Sequence, residues 1–174
     1  MIEYYQLTKK DLLYENYNNL KIKFPNEFIY MPDTYTSVNM DQFKKLHNNY
    51  KISKNDLWLI KPNFLQGGAG IRFLENITQI KKNDIVTKYI SNPLLINGRK
   101  FDLRLYVLVT GKDPLKIYFF DDSFARVATE IYDLDLNNIK NKYKHFTNTA
   151  INKKIKIKKK TKFIFSFKRN QKIY

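Results

Sequence analysis

The 174-residue sequence contains no cysteine, which excludes disulfides and thiolate-ligated zinc. Histidine is almost as scarce: only His47 and His145 are present, too few to argue for a zinc site. No segment approaches the ~18 uninterrupted apolar residues that a membrane-spanning helix needs, and the longest candidate, Leu105 to Val109, is strand-sized. The N-terminal residues MIEYYQLTKKD mix polar and apolar side chains and do not read as a secretory signal. Together these absences make a cytoplasmic location the simplest expectation. GxxxxGK[ST] does not occur, nor does an HRD or DFG string, so the P-loop and the protein-kinase readings fall away. Acidic residues also run out early, the last being Asp135.

What remains has the balance of one ordinary globular domain, with 43% hydrophobic and 28% charged residues. The net charge of +16 raises the question of a nucleic-acid partner. Two features weigh against it. Lys, Asn, Ile, Tyr and Phe are abundant together, as AT-rich coding DNA would produce. The charge is also uneven: residues 152–174 hold ten basic and no acidic side chains, leaving +6 for the preceding 151. A basic surface equally suits an acidic protein, because opposite charge speeds encounter.

Residues 8–20 are expected to be helical, with Thr8 as N-cap and Leu12, Leu13 and Tyr17 on one side. A second helix is expected near 40–50, capped by Asn39, with Phe43, Leu46 and Tyr50 in helical spacing. The middle reads as short strands: Leu57–Lys61, Ile71–Leu74, Ile85–Ile90, Phe101–Thr110, Leu115–Phe120 and Phe124–Thr129. Turn residues separate them, among them Gly67-Gly68, Asn92-Pro93 and Asn97-Gly98, as in sheets built from antiparallel neighbours. The pattern is α+β and lacks regular βαβ alternation. The thirteen tyrosines and thirteen phenylalanines read as core residues plus compositional bias. From Ile151 onward lysines alternate with Ile and Phe, and such a block of like charge reads as a solvated tail or an unnatural end of the reading frame.

Two constellations carry chemistry. In the first, Trp58-Leu-Ile-Lys61-Pro62 leads into Gln66-Gly67-Gly68-Ala69-Gly70-Ile71. Glycines let a backbone approach phosphates and turn N–H groups toward an anion, while a lysine adds a point charge. The same residues also describe a plain hairpin turn. In the second, Ile85-Val-Thr-Lys-Tyr-Ile90 precedes SNPLLINGRKFDLRLYVLVTG. Alternation turns Phe101, Leu103, Leu105, Val107 and Val109 one way, and Asp102, Arg104 and Tyr106 the other. On spacing alone, a weak surface ion pair and a pair facing a phosphate-bearing ligand stand equal.

The series WLIKP, a glycine loop ending in GI, VTKYI, NPLLINGRKFDLRLYVLVT, DPLKIYFF, FARVATEIY and HFTNTAINK, with MPDTY upstream, closely resembles the tubulin–tyrosine-ligase-like family in the same order. The resemblance covers 24–153, with 1–23 unmatched and 154–174 left as a basic low-complexity tail. It implies an ATP-grasp architecture, mainly antiparallel sheet with flanking helices, whose two lobes hold ATP. Lys61 and the loop residues Gln66, Gly67, Gly68, Gly70 and Ile71 would contact phosphates. Lys88, Tyr89 and Ile90 would hold the adenine, and Lys100 and Asp102 would lie near the sugar or phosphates. Arg104 would stabilise the γ-phosphoryl group, Arg126 would orient the acceptor or the incoming amino acid, and Thr147 and Asn148 would close on the nucleotide. The reaction implied is ATP-driven joining of glutamate, glycine or tyrosine to a carboxylate of tubulin or another protein through an acyl phosphate, by a monomer on the cytoskeleton, including cilia or flagella.

Two departures qualify that expectation. The family's loop commonly carries a basic or polar residue where this chain has Gly67. Its magnesium ligands, an aspartate and a Glu-x-Asn pair downstream of HxTN, have no counterpart after Asn148. Mg2+ requires oxygen ligands, so the chain is expected to be incomplete on its C-terminal side and not to ligate amino acids by itself. The alternative is a non-catalytic nucleotide- or tubulin-binding module of the same family. Behind it stands a basic nucleic-acid binder whose affinity would reside in residues 152–174. Which amino acid is transferred, and whether side chains are started or lengthened, is not written in these motifs.

Overall fold

The computed structural model describes residues 5–153, which form two compact units. The first comprises residues 5–93 with Leu134–Lys140, and the second Leu94–Asp133 with 141–153. The basic stretch 154–174 lies outside the described residues.

The first unit begins with a helical turn, α1 (Tyr5–Thr8), and then α2 (Lys10–Lys23). The helix expected over 8–20 therefore starts later and runs longer. Thr8 closes the preceding turn, and Lys9 occupies the N-cap without a side-chain bond. Pro25 explains the end, since the residue before a proline is driven out of helical conformation; Phe24 sits there with ψ 66. Helix α3 is Met40–Leu46. Asn39 precedes it as expected but does not cap it, because its Oδ1 accepts the Thr36 amide at 2.8 Å instead. Of the expected apolar trio only Phe43 is fully buried; Leu46 is exposed, and Tyr50 lies beyond the helix.

Strands β1 (Thr34–Tyr35), β2 (Trp58–Pro62), β3 (Arg72–Phe73) and β4 (Asp84–Lys88) form one antiparallel sheet in the order β1-β4-β2-β3. One face packs on α3 through Met40, Phe43, Trp58, Ile60, Leu74 and Val86. Burying side chains of this size contributes about 1.5–3 kcal/mol each, which makes this sheet the rigid part of the unit.

The second unit contains β5 (Leu95–Ile96), β6 (Arg99–Arg104), β7 (Val107–Lys112), β8 (Leu115–Phe119) and β9 (Phe124–Val127), then the short helices α4 (Lys142–His145) and α5 (Thr149–Asn152). Asn97 and Gly98, both at positive φ (48° and 71°), join β5 to β6. Two successive left-handed residues are what a tight hairpin turn demands. The strand expected from Phe101 to Thr110 is two strands: β6 pairs with β9, and β7 leaves to pair with β8. Both faces of the β7–β8 ribbon are exposed, with Leu108, Leu115, Tyr118 and Phe119 all more than half exposed. Many aromatics are thus surface residues, contrary to the expectation that they serve the core. Among the described strands every pairing is antiparallel, in keeping with the α+β expectation.

Candidate functional site

Strand β2 ends in Lys61-Pro62, and the glycine loop follows from Gln66. Gly67, Gly68 and Gly70 have φ of 65°, 86° and 71°, conformations that side chains with a Cβ resist. Gly70 is doubly constrained, because a Cβ there would lie 2.8 Å from Pro62 Cγ. The loop closes on itself: the Ala69 amide donates to the Gln66 carbonyl at 3.0 Å, and the Ile71 amide to the Gly68 carbonyl at 3.3 Å. Arg72, just past the loop, donates to the Gly70 carbonyl at 3.3 Å and to the Gln79 carbonyl at 3.0 Å. Lys61 itself donates to the Tyr14 hydroxyl at 3.4 Å and lies 5.7 Å from that ring.

Lys88 sits elsewhere. Register pairs Trp58 with Lys88 and Lys61 with Ile85, so alternation turns the two lysines to opposite faces of the sheet. The Lys88 ammonium binds the Asp56 carboxylate and lies 4.8 Å from the Trp58 ring. Trp58 Nε1 donates to the same carboxylate at 2.8 Å. Burial raises the Asp56 pKa, but the bonds from Lys88 and Trp58 outweigh it and hold the group below the usual range. Beyond Lys88 the backbone of Tyr89 and Ile90 leaves the sheet; Tyr89 is buried and Ile90 exposed.

In the second unit, Asp102 and Arg126 face each other across β6 and β9. Asp102 Oδ1 accepts from Arg126 Nε at 2.7 Å, and Oδ2 accepts from Arg126 Nη2, a two-pronged fork. Oδ2 also accepts from Thr147 Oγ1 at 2.9 Å, so the HFTN segment is tied to the FDLR strand. The Asp102 bond keeps Arg126 firmly charged against partial burial. Lys100 and Arg104 flank Asp102 on the same face of β6. Arg104 is exposed, and its guanidinium makes no ion pair with another described residue. Asn148 precedes α5, and its carbonyl accepts from the Asn152 amide at 3.1 Å and from Asn152 Nδ2 at 3.0 Å.

With the Lys61 strand, its glycine loop, and the Asp102–Arg126 fork in place, the similarity to known proteins can be weighed. The sequence matches the tubulin-tyrosine ligase family over residues 1–172. The chain belongs to the tubulin-tyrosine ligase family. The match reaches past 24–153 at both ends and so takes in α2. Human tubulin polyglutamylase TTLL5 is 39% identical over 153 residues, which is 86% of this chain and 12% of that protein. Probable α-tubulin polyglutamylase Ttll1 of Tetrahymena thermophila is 32% identical across 86% of this chain and 44% of its own length. Tubulin glycylase 3D of the same organism is 37% identical across 74% of this chain and 13% of its own. The chain therefore spans a minor part of the length of these tubulin-tyrosine ligase family proteins.

Among the described residues no three His, Cys, Asp or Glu side chains gather in a way that could hold a metal ion. Asp102 is already engaged by Arg126 and Thr147. The described residues therefore offer no cluster of carboxylates to a divalent cation. No helix among them is long and apolar enough to cross a membrane. An open groove lined by Tyr106, Val107, Leu108, Tyr118, Phe119 and Phe120 carries no charged side chain.

Sequence reasoning missed several residues that shape these sites. Tyr14, Asp56 and Arg72 hold Lys61, Lys88 and the Gly70 carbonyl respectively. Asn152, read as the start of the basic stretch, is buried and donates to the Phe146 carbonyl at 2.8 Å. Only Asp56 left a signal, an acid two residues before the lone tryptophan.

Proposed function

We propose that this chain is the nucleotide-binding part of an enzyme that uses ATP to join an amino acid to a carboxylate of tubulin or another acidic protein. The observation that carries the reading is a strand ending in Lys61-Pro62 followed by a loop with three glycines at positive φ. That arrangement suits a polyphosphate, because successive backbone N–H groups and one ammonium supply positive charge without bulk. Tyr89 and Ile90, at the end of β4, supply backbone for the adenine; Lys88 enters the set only by leaving Asp56, on the face of the sheet opposite Lys61. In the second unit, Arg104 is the exposed cation suited to charge that develops on a γ-phosphoryl group. Arg126, fixed by Asp102, suits a carboxylate of the acceptor or of the incoming amino acid. Lys100, Thr147 and Asn148 are the further residues of the second unit proposed to meet nucleotide.

In the reaction proposed, an acceptor carboxylate oxygen attacks the γ-phosphorus and ADP leaves. The amino group of the free amino acid then displaces phosphate from the acyl phosphate, forming an amide. Splitting the condensation this way replaces one difficult step by two easier ones, and the protein's share is alignment and charge neutralisation. Relatives named as polyglutamylases and a glycylase support glutamate or glycine as the amino acid. By itself the chain is proposed to bind nucleotide without turning it over, since the acids expected after Asn148 are not in its sequence.

Calorimetric titration with ATP tests the site: the wild type binds, and Lys61→Met weakens binding by ~10-fold or more. Absence of ATP binding by the wild type would overturn the reading. Incubation with tubulin, Mg-ATP and labelled glutamate, glycine or tyrosine tests the second point, and robust incorporation by this chain alone would refute it.

A further inference from the structure

Helix α2 is built against the segment that follows Lys61. Its first residue, Lys10, donates to the carbonyls of Pro62 at 3.2 Å, Asn63 at 3.3 Å and Leu65. The neighbouring Asp11 carboxylate accepts from Asn63 Nδ2 at 2.6 Å. One turn further along, Tyr14 meets Lys61. Positions 10 and 14 are an i, i+4 pair, with 11 and 14 at i, i+3, so one side of the helix engages both the strand end and the loop.

An ammonium has three donors and no acceptor, so three carbonyls saturate Lys10. Drawing those oxygens onto one cation fixes the peptide planes that carry them. A backbone that receives phosphate must be fixed in advance in this way, because its N–H groups otherwise spend binding energy on becoming ordered. The electrostatics agree. Burial disfavours the Lys10 charge, the nearby Lys61 charge adds to this, and Asp11 opposes both. A polyanion at the loop would relieve the repulsion between the two ammonium groups.

We infer that Lys10 is a positioning residue for the 62–70 loop, holding its backbone in the shape that receives a nucleotide polyphosphate without itself touching the phosphates. The inference rests on the reading of this loop as a nucleotide site.

Lys10→Met in the full chain tests it, with two readouts. Without nucleotide, hydrogen exchange of the 63–66 amides speeds up by ~10-fold, because a local constraint is lost. With ligand, affinity for ATP falls ~10-fold while affinity for adenosine is unchanged, and Lys10→Arg, which keeps the charge and donors, restores most of the ATP affinity. Loop exchange equal to wild type overturns the positioning role whatever the nucleotide data show. Equal weakening of ATP and adenosine marks general damage and also overturns it. A wild type that binds no ATP, while Lys10→Met still loosens the loop, sinks the nucleotide reading and the polyphosphate part of the inference with it. Should Lys10→Met fail to fold, Lys10→Gln, which removes the charge and keeps only two of the three donors, is held to the same criteria.

Discussion

Burial and two neighbouring ammonium groups act on the same imidazole at His145. The ring is 2% exposed, and burial first, then Lys100 and Lys144, push its pKa from 6.5 down to about 4, with Asp133 opposing. The unfolded chain therefore takes up a proton below about pH 6.5 that the folded chain refuses until about pH 4. Stability must fall with pH across that window, because the unfolded state binds more protons there. Between pH 7 and pH 5 the expected loss from this group is about 2 kcal/mol. Urea unfolding at the two pH values should show it in the wild type and not in His145→Gln; an equal loss in both would assign the effect to other groups. The Asp102–Arg126 fork makes a different kind of contribution. Both side chains keep some solvent contact, at 37% and 21% exposure, so the pair is worth about 1 kcal/mol of stability. A double-mutant cycle with Asp102→Asn and Arg126→Gln should return a coupling of about that size. A coupling near zero would mean that the fork organises nothing.

At the level of elements, the glycine loop shows what sequence reading reaches and where it stops. Positive φ was foreseeable for Gly67 and Gly68, since adjacent glycines between strand-like runs point to a turn. The packing of Gly70 on Pro62 was not, because it depends on how nine residues fold back. The two kinds of constraint predict different penalties. Gly67→Ala carries only the left-handed backbone cost, about 1–2 kcal/mol. Gly70→Ala adds a Cβ 2.8 Å from Pro62 Cγ, and overpacking of that kind costs a further ~1–3 kcal/mol. Thermal unfolding should rank Gly70→Ala well below Gly67→Ala, and the reverse order would mean that the loop relaxes freely. Elsewhere the same boundary recurs. Short strand-like runs bounded by turn residues located β2, β4 and β9, and Asn97-Gly98 located a hairpin turn, because both signals are local. The break of the 101–110 strand was illegible: LRLYVLV contains no Gly, Pro or other turn residue, and only the competing partners β9 and β8 divide it. The contacts among the candidate residues were not legible in the sequence. Thr147 reaching Asp102 spans 45 positions, and Lys10 reaching Leu65 spans 55. No local pattern encodes such distances.

Across the whole molecule, charge makes a prediction that neither residue nor element can. A net charge of +16 on 174 residues creates a field that an acidic partner feels before contact. That field is screened by salt, with a Debye length that falls from about 30 Å at 0.01 M to about 8 Å at 0.15 M ionic strength. Association with a glutamate-rich peptide, followed by stopped flow, should slow by ~10-fold or more over that range, while dissociation changes much less. Removing residues 154–174 separates two origins of the effect, because residues 152–174 carry ten of the basic side chains and the first 151 residues only +6. If the basic stretch does the steering, its removal flattens the salt dependence. If the folded units do, most of the dependence survives. A rate insensitive to salt in the complete chain would show that the lysines reflect the composition of the coding DNA and not a partner. Steep salt dependence for RNA together with none for the acidic peptide would identify the polyanionic partner as a nucleic acid and not an acidic protein.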